Sequence, residues 1–475
     1  PMAGWQPWRN TLVDVLEPIT EIDSDILNMA KDSYIGDILR LLPDESLGVI
    51  QVYDNLTAVN GAPGVNYVDK LPRNTSAGFP WKRSKKHFMT AIPPIGGLAD
   101  PVELDADIIE RVDNICSEYI SGNGSAAVFT AHLKDEPISF KKVEAGKVRV
   151  FTGAPVDFTV VMRKYLLSFV RLVQSNKEIF ESAPGTVAQS LEWEVMGRYL
   201  TQFGKDTMVA GDYRKFDKKM SPLFIMAAFD IIIRVCQESG NYSSDDILVL
   251  RGIAVDTSYP TIDFNGDLIQ LYGSNPSGHP LTVIVNGLVN CLYMRYAYIV
   301  LNPDHECHTF KDRVALMTYG DDNVAGVSPD IPWYNHTSIS QSFANIGIDY
   351  TMADKEAVSV PYISFSEVSF LKRTWSWNTD LQCHLAPLDH ESIEKMLMVW
   401  VTSKSITTQE QCMAVISSAI REYFFYGKEV FNEKLDLLRD VVTQLDMEDW
   451  IVPSTFPSWE LLMSEFEFNS EHIHL

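Results

Sequence analysis

The sequence predicts an α+β protein, a mixed core of strands and helices followed by a helical C-terminal part. Three observations carry this reading. Short apolar runs of strand length deliver aspartates at their tips, at Met208-Val209-Ala210-Gly211 before Asp212 and from Val314 to Asp322. Longer apolar stretches at helical spacing lie between them, as in Phe224, Ile225, Phe229, Ile232 and Ile233. Toward the C-terminus the pattern is helical alone, with Met413, Val415, Ile416 and Ile420 sharing a face. With 475 residues, 46% of them hydrophobic, the chain is long enough for two or three subdomains.

Taken in order, residues 1 to about 160 mix short helical stretches with Gly/Pro-rich loops such as Asn60-Gly61-Ala62-Pro63-Gly64 and Ile92-Pro93-Pro94-Ile95-Gly96-Gly97. This predicts an irregular region that wraps something. Ser221-Pro222 reads as an N-cap with proline at the first helical position, opening a helix that stops near Gly240. Asn265-Gly266 between apolar runs is a hairpin turn. Leu281 to Tyr298 is apolar enough to raise the question of a membrane span, but Asn286, Asn290 and Arg295 interrupt it. A buried helix is the better reading, and no transmembrane segment is expected. Val314 to Val327 reads as two strands around an acidic turn, and Thr407-Thr408-Gln409-Glu410 as a capping box.

The six cysteines are scattered without a CxxC pair, which suits free thiols in a reducing compartment, and no basic, apolar signal sequence opens the chain. A net charge of −24, from 39 Lys+Arg against 63 Asp+Glu, argues by itself against nucleic acid as partner. Its distribution tempers that: the segment from Tyr426 onward is acidic, while Lys82, Arg83, Lys85, Lys86 and His87 form one basic run and Lys134, Lys141, Lys142, Lys147 and Arg149 a second group. A basic channel inside an acidic shell and simply solvated faces are both open readings. No GxxxxGK[ST] loop is present, so an NTP-driven helicase has no support. His305-Glu306-Cys307-His308 has too few well-spaced neighbours for a zinc site and reads as a loop.

Three patches carry chemistry: Gly211-Asp212-Tyr213-Arg214-Lys215-Phe216-Asp217, Tyr319-Gly320-Asp321-Asp322 at a hairpin tip, and Gly273-Ser274-Asn275-Pro276-Ser277-Gly278 leading into a helix with Thr282 and Asn286 on one face. Adjacent carboxylates at a turn raise each other's pKa unless a cation neutralises them. Hard oxygen ligands suit Mg²⁺, which commonly takes one or two carboxylates plus substrate phosphates.

In order along the chain, from about Asn74 to Arg373, these patches and their neighbours resemble the polymerase of picorna-like positive-strand RNA viruses. The resemblance implies a closed right hand. Fingers would occupy 1–205, with N-terminal fingertips bridging to the thumb, and an insertion over 240–272. The palm, an antiparallel sheet flanked by helices, would take 206–239 and 273–378, and a helical thumb 379–475. Asp212, Asp321 and Asp322 would hold two Mg²⁺ ions, with Mn²⁺ able to substitute. Asp217, Thr282 and Asn286 would form a network reading the ribose 2′-OH. Ser277 and Gly278 would sit in a flexible loop beside the template base, helix capping being their other reading. Lys134, Lys147 and Arg149 would neutralise the triphosphate, and Lys355 would protonate departing pyrophosphate.

Thr75, Ser76, Gly78 and Pro80 match the template-entry loop, and Lys372 and Arg373 the hairpin that grips the primer. The implied partners are template and product RNA, ribonucleoside triphosphates, other viral replication proteins and a small genome-linked protein primer, with de novo initiation the alternative. The implied setting is the host cytoplasm, in membrane-associated replication complexes, after release from a viral polyprotein. The acidic net charge departs from the pattern, and the N-terminus lacks a match to the family's start. Two other functions stay open: a reverse transcriptase-like polymerase, against which Asp217 and Asn286 argue because they suit a ribose, and an inactive RNA-binding scaffold, against which the intact aspartates argue.

Overall fold

The computed structural model describes residues 4–17, 20–353 and 357–471. Its centre is a four-stranded antiparallel sheet in the order Tyr350–Met352, Met208–Tyr213, Asp322–Val327, Val314–Tyr319. Strand periodicity of two dictates how it is buried. Met208, Ala210, Met317 and Val324 face one way, onto Trp193, Phe365 and Trp375. Val209, Leu316, Ala325 and Val327 join the larger core that contains helix Thr282–Leu301.

That helix is long and apolar enough to cross a membrane by length and composition, and it is almost wholly buried inside the fold. Asn286, Asn290 and Arg295, which interrupt its apolar run, have partners there. Arg295 is fully buried; its guanidinium donates to Glu181 at 2.6 and 3.0 Å and to Asp37 at 3.3 Å, between the rings of Tyr34 and Phe310. Asn286 and Asn290 face the aspartate-bearing end of the sheet.

A second sheet, Val150–Gly153, Val128–Leu133, Thr261–Phe264, Asp267–Gln270, contains one parallel pair. The Asn265-Gly266 turn forms as expected, with both residues at positive φ. Ser221 caps helix Pro222–Glu238 by accepting from Leu223 N–H. The first 160 residues are less irregular than the sequence suggests: helices Ser24–Leu41 and Ala106–Ile120 are long, burying Leu27, Ala30, Tyr34 and Ile38 in one case and Ile108, Val112, Ile115 and Tyr119 in the other. Each set recurs every three or four residues, a signal that the intervening Gly/Pro clusters obscured.

The C-terminal helices His390–Met398, Thr408–Tyr423, Lys428–Gln444 and Trp459–Ser470 close on a core of their own, and Thr407 with Glu410 makes the expected capping box. Trp375 stacks on Trp193 at 4.3 Å beneath the sheet, and two residues earlier Arg373 reaches the lobe, pairing with Glu422 at 2.8 Å; Leu191 N–H also donates to Ser470 Oγ at 3.0 Å.

Candidate active site

Strand register gathers the acidic residues. Gly211 pairs with Asn323 and Tyr319 with Asp322, so Asp212, Asp321 and Asp322 emerge at one end of the central sheet. Gly211 is required by packing: a Cβ there would lie 2.1 Å from the Tyr350 ring. At the hairpin tip Gly320 adopts φ +61°, a left-handed turn conformation that glycine accepts without steric cost. Asn290 holds this turn from below. Its amide donates toward the carbonyls of Gly320, Asp321 and Asp322 at 3.0, 3.2 and 3.3 Å, while its oxygen accepts from the Tyr213 hydroxyl at 3.0 Å and Asn323 at 3.2 Å.

The three aspartates line a cavity of about 550 Å³ together with Arg149, Thr152, Asp217, Asn275 and Ser277. Among the described residues no group of three or more His, Cys, Asp or Glu side chains converges as a ready metal cage. The donor set still fits Mg²⁺, which does not need an all-protein cage and completes its shell with water and phosphate oxygens.

On one wall of the cavity Asn286 donates to Asp217 at 2.6 Å. Burial, and then the charge of Asp321, pushes the Asp217 carboxyl up to about 6. Thr282 does not bond to this pair. Its hydroxyl lies 3.0 Å from the carbonyls of Pro276 and His279 and accepts from the His279 N–H, so it shapes the loop that opens the helix. Ser277 and Gly278 are stitched to strand Val150–Gly153: Thr152 N–H donates to Ser277 Oγ, Ser277 N–H to Thr152 Oγ1, and Ala154 N–H to the Gly278 carbonyl. A Cβ at Gly278 would lie 2.1 Å from the Thr152 carbonyl oxygen, so only glycine allows this approach.

Of the three cationic residues, Lys134 and Arg149 are neighbours, the Lys134 main-chain N–H donating to the Arg149 carbonyl at 2.8 Å. Arg149 lines the cavity and Lys134 a larger one of about 1020 Å³, whereas Lys147 is solvent-exposed. Glu136 bridges the first two, accepting from Arg149 Nε at 2.6 Å with Lys134 Nζ at 3.4 Å. The Arg149 hydrogen bond holds Glu136 down to about 2.

The larger cavity is also lined by Thr75, Ser76, Gly78, Gly278 and His279. Lys85, in the basic run from Lys82 to His87, is buried and donates to Thr75 Oγ1 at 2.6 Å and the Ser76 carbonyl at 2.8 Å. Pro80 follows in the same loop, closed by Lys82 N–H donating to the Gly78 carbonyl. Lys372 is exposed and reaches Ser392, but Arg373 is only 12% exposed and is committed to Glu422 and the Ala386 carbonyl. Arg373 therefore joins two lobes rather than presenting charge to a ligand. Lys355 lies outside the described residues.

Sequence reading gave no individual role to Asn290, Asn275, His279, Thr152 or Glu136. A signal existed for Asn290, a polar residue four positions from Asn286 on an apolar helix. For the rest, the partner defines the role.

Three acidic residues at one end of an antiparallel sheet, walled by a second sheet and backed by a helical lobe, form an arrangement suited to holding Mg²⁺ against substrate phosphates. The fold agrees: a solved Sicinivirus 3Dpol RNA-dependent RNA polymerase superposes with a TM-score of 0.77 over 95% of this chain and 86% of that one, at 18% identity. The architecture is the right hand of fingers, palm and thumb. The chain belongs to the viral RNA-dependent RNA polymerase family, whose model matches residues 14–442, and it is of the picorna-like type. It is 31% identical over 353 residues to the replicase polyprotein of Cricket paralysis virus, covering 71% of this chain and 19% of that protein. Against the replicase polyprotein of Drosophila C virus it is 29% identical over 403 residues, covering 82% and 22%. The chain thus spans about a fifth of each of these two polyproteins.

Proposed function

We propose that this chain copies an RNA template into RNA from ribonucleoside triphosphates, replicating a viral genome. The observation that carries the reading is the meeting of Asp212, Asp321 and Asp322 with Asp217 and Arg149 around one cavity large enough for a nucleotide. Asp212, Asp321 and Asp322 would hold two Mg²⁺ ions, or Mn²⁺ in their place, which would supply charge stabilisation for the attacking and leaving oxygens.

The chain's own groups do the rest. Arg149 and Lys134 offset the triphosphate charge once Glu136 yields them, and the exposed Lys147 adds to that charge. Asp217 and Asn286 hold the ribose, and Thr282 shapes the loop that carries Ser277 and Gly278. Lys355 gives a proton to pyrophosphate. Thr75, Ser76, Gly78 and Pro80 line the path of the template, and Lys372 meets the primer backbone. An accepting pair at the ribose favours ribonucleotides over the deoxyribonucleotides a reverse transcriptase takes.

The division into fingers 1–205 and 240–272, palm 206–239 and 273–378, and thumb 379–475 is supported by strand Thr261–Phe264 returning to pair with Val128–Leu133 and by the separate C-terminal core. Release from a polyprotein, action in membrane-associated replication complexes in the host cytoplasm, and priming by a small genome-linked protein are further parts of the proposal.

A thermal-shift titration tests it: a ribonucleoside triphosphate with Mg²⁺ should raise the Tm of the wild type and not of Asp321→Ala. Equal stabilisation of both proteins, or stabilisation independent of Mg²⁺, would point to a binding scaffold.

A further inference from the structure

Two buried side chains beside the ribose pair have no role in the site so far, Asn275 and His279. Both lie in the loop that opens helix Thr282–Leu301. The Leu281 main-chain N–H can only donate, so His279 Nδ1, 3.2 Å away, must accept. A neutral imidazole that accepts at Nδ1 carries its proton on Nε2. Burial pushes His279 down to about 3, which keeps it neutral. Nε2–H therefore donates to Asn275 Oδ1 at 2.9 Å. With its oxygen engaged, Asn275 gives its amide N–H to Asn286 Oδ1 at 2.7 Å, and Asn286 gives its own to Asp217 at 2.6 Å.

The direction of this chain is fixed at one end by a main-chain N–H that cannot be reversed and at the other by a carboxylate that accepts. An asparagine amide has no intrinsic preference between its two orientations. Reversing either one here would set donor against donor or acceptor against acceptor, a buried mismatch. The relay also crosses a wall: Gly278 and His279 line the larger cavity, Asn275 and Ser277 the smaller.

We propose that His279 and Asn275 are positioning residues for sugar selection, fixing the Asn286 amide so that it donates to Asp217 and both present a ribose-matching face. This rests on the reading of Asp217 and Asn286 as the ribose-sensing pair. The side chains separate the functions. His279→Gln keeps an N–H donor near the place of Nε2. His279→Asn keeps only an acceptor near the place of Nδ1, for Leu281. Asn275→Asp keeps the shape but turns an acceptor toward Asn286 Oδ1, driving that amide to reverse and face Asp217 with oxygen.

The experiment is single-nucleotide incorporation by the full chain on a primed RNA, comparing kcat/KM for a ribonucleoside triphosphate and its 2′-deoxy analogue, with melting curves for each variant. His279→Asn and Asn275→Asp should lower the ribo/deoxy ratio by about tenfold or more, the scale of a hydrogen bond to a charged group. His279→Gln should hold the ratio within about threefold. Asn286→Ala is the control for the underlying reading. If it lowers the ratio while the first two variants leave it at the wild-type value, the relay proposal fails and the ribose reading stands. If Asn286→Ala leaves the ratio unmoved, both fail. A purely structural role lowers Tm and the rates for both sugars together without moving the ratio, which also overturns the proposal.

Discussion

Truncating Asn290 isolates what holds the hairpin tip in place. The side chain is fully buried and serves five groups: three turn carbonyls, the Tyr213 hydroxyl and the Asn323 amide. In Asn290→Ala the turn carbonyls can turn to water in the adjoining cavity. The two donors cannot. Tyr213 is buried, and burial holds its pKa well above the ordinary value, so its proton stays and loses its partner. Two stranded buried donors at about 1–3 kcal/mol each predict a loss of roughly 2–6 kcal/mol, seen as a fall in Tm of several degrees.

The functional cost follows from geometry, since a reacting group misplaced by about 1 Å costs on the order of 10²-fold. Single-turnover incorporation at saturating nucleotide, well below the variant's Tm, should therefore slow by about 10²-fold. The ribo/deoxy ratio should hold, because the His279–Asn275–Asn286 relay is untouched. Asn290→Asp should be worse, since a carboxylate cannot donate to the three carbonyls. A folded Asn290→Ala enzyme with a wild-type rate would refute this account of the turn.

Three further predictions follow from the same geometry. The folded-state pKa of Asp217, about 6 against an ordinary 3.8, means the metal-free protein takes up a proton on folding as pH falls between these values. This group's contribution therefore makes stability rise as pH drops, by at most roughly 3 kcal/mol. Asp217→Asn, which keeps an acceptor for Asn286, should stabilise the chelator-treated protein at pH 7 more than at pH 4; an equal effect at both pH values would contradict the assignment. Lys85→Met removes the donor to Thr75 and Ser76 and should weaken RNA binding several-fold while leaving the nucleotide KM at saturating RNA unchanged, measurable by RNA titration and initial rates. Trp375→Ala removes the stack on Trp193 and the bond from Trp375 Nε1 to the Trp193 carbonyl at 2.8 Å, and should cost about 3–5 kcal/mol by denaturant unfolding.

The elements that sequence announces well are those whose cause is local. Ser221-Pro222 caps a helix because an oxygen and a fixed φ act within one turn, and Asn265-Gly266 closes a hairpin because both accept positive φ. The carboxylate motifs were legible for the same reason: Asp321 and Asp322 share one turn, and Asp212 lies one residue before the end of one strand. What escaped was pairing over distance. Asn290 meets Tyr213 across 77 residues, and nothing near Glu136 tells that Arg149 will be folded back against it. Arg373 reads as a cation for the primer and Lys85 as part of an accessible basic run until Glu422 and the Thr75 loop close on them. In each case a charged or polar residue was read from its type, while its role is set by what the fold places against it.

Primer extension on a short RNA hairpin with Mg²⁺, comparing ribonucleotides with deoxyribonucleotides in the wild type and in Asp321→Ala, tests the central claim most directly. The account predicts extension with ribonucleotides alone, abolished by the substitution. Efficient use of deoxyribonucleotides, or extension that survives Asp321→Ala, would contradict it.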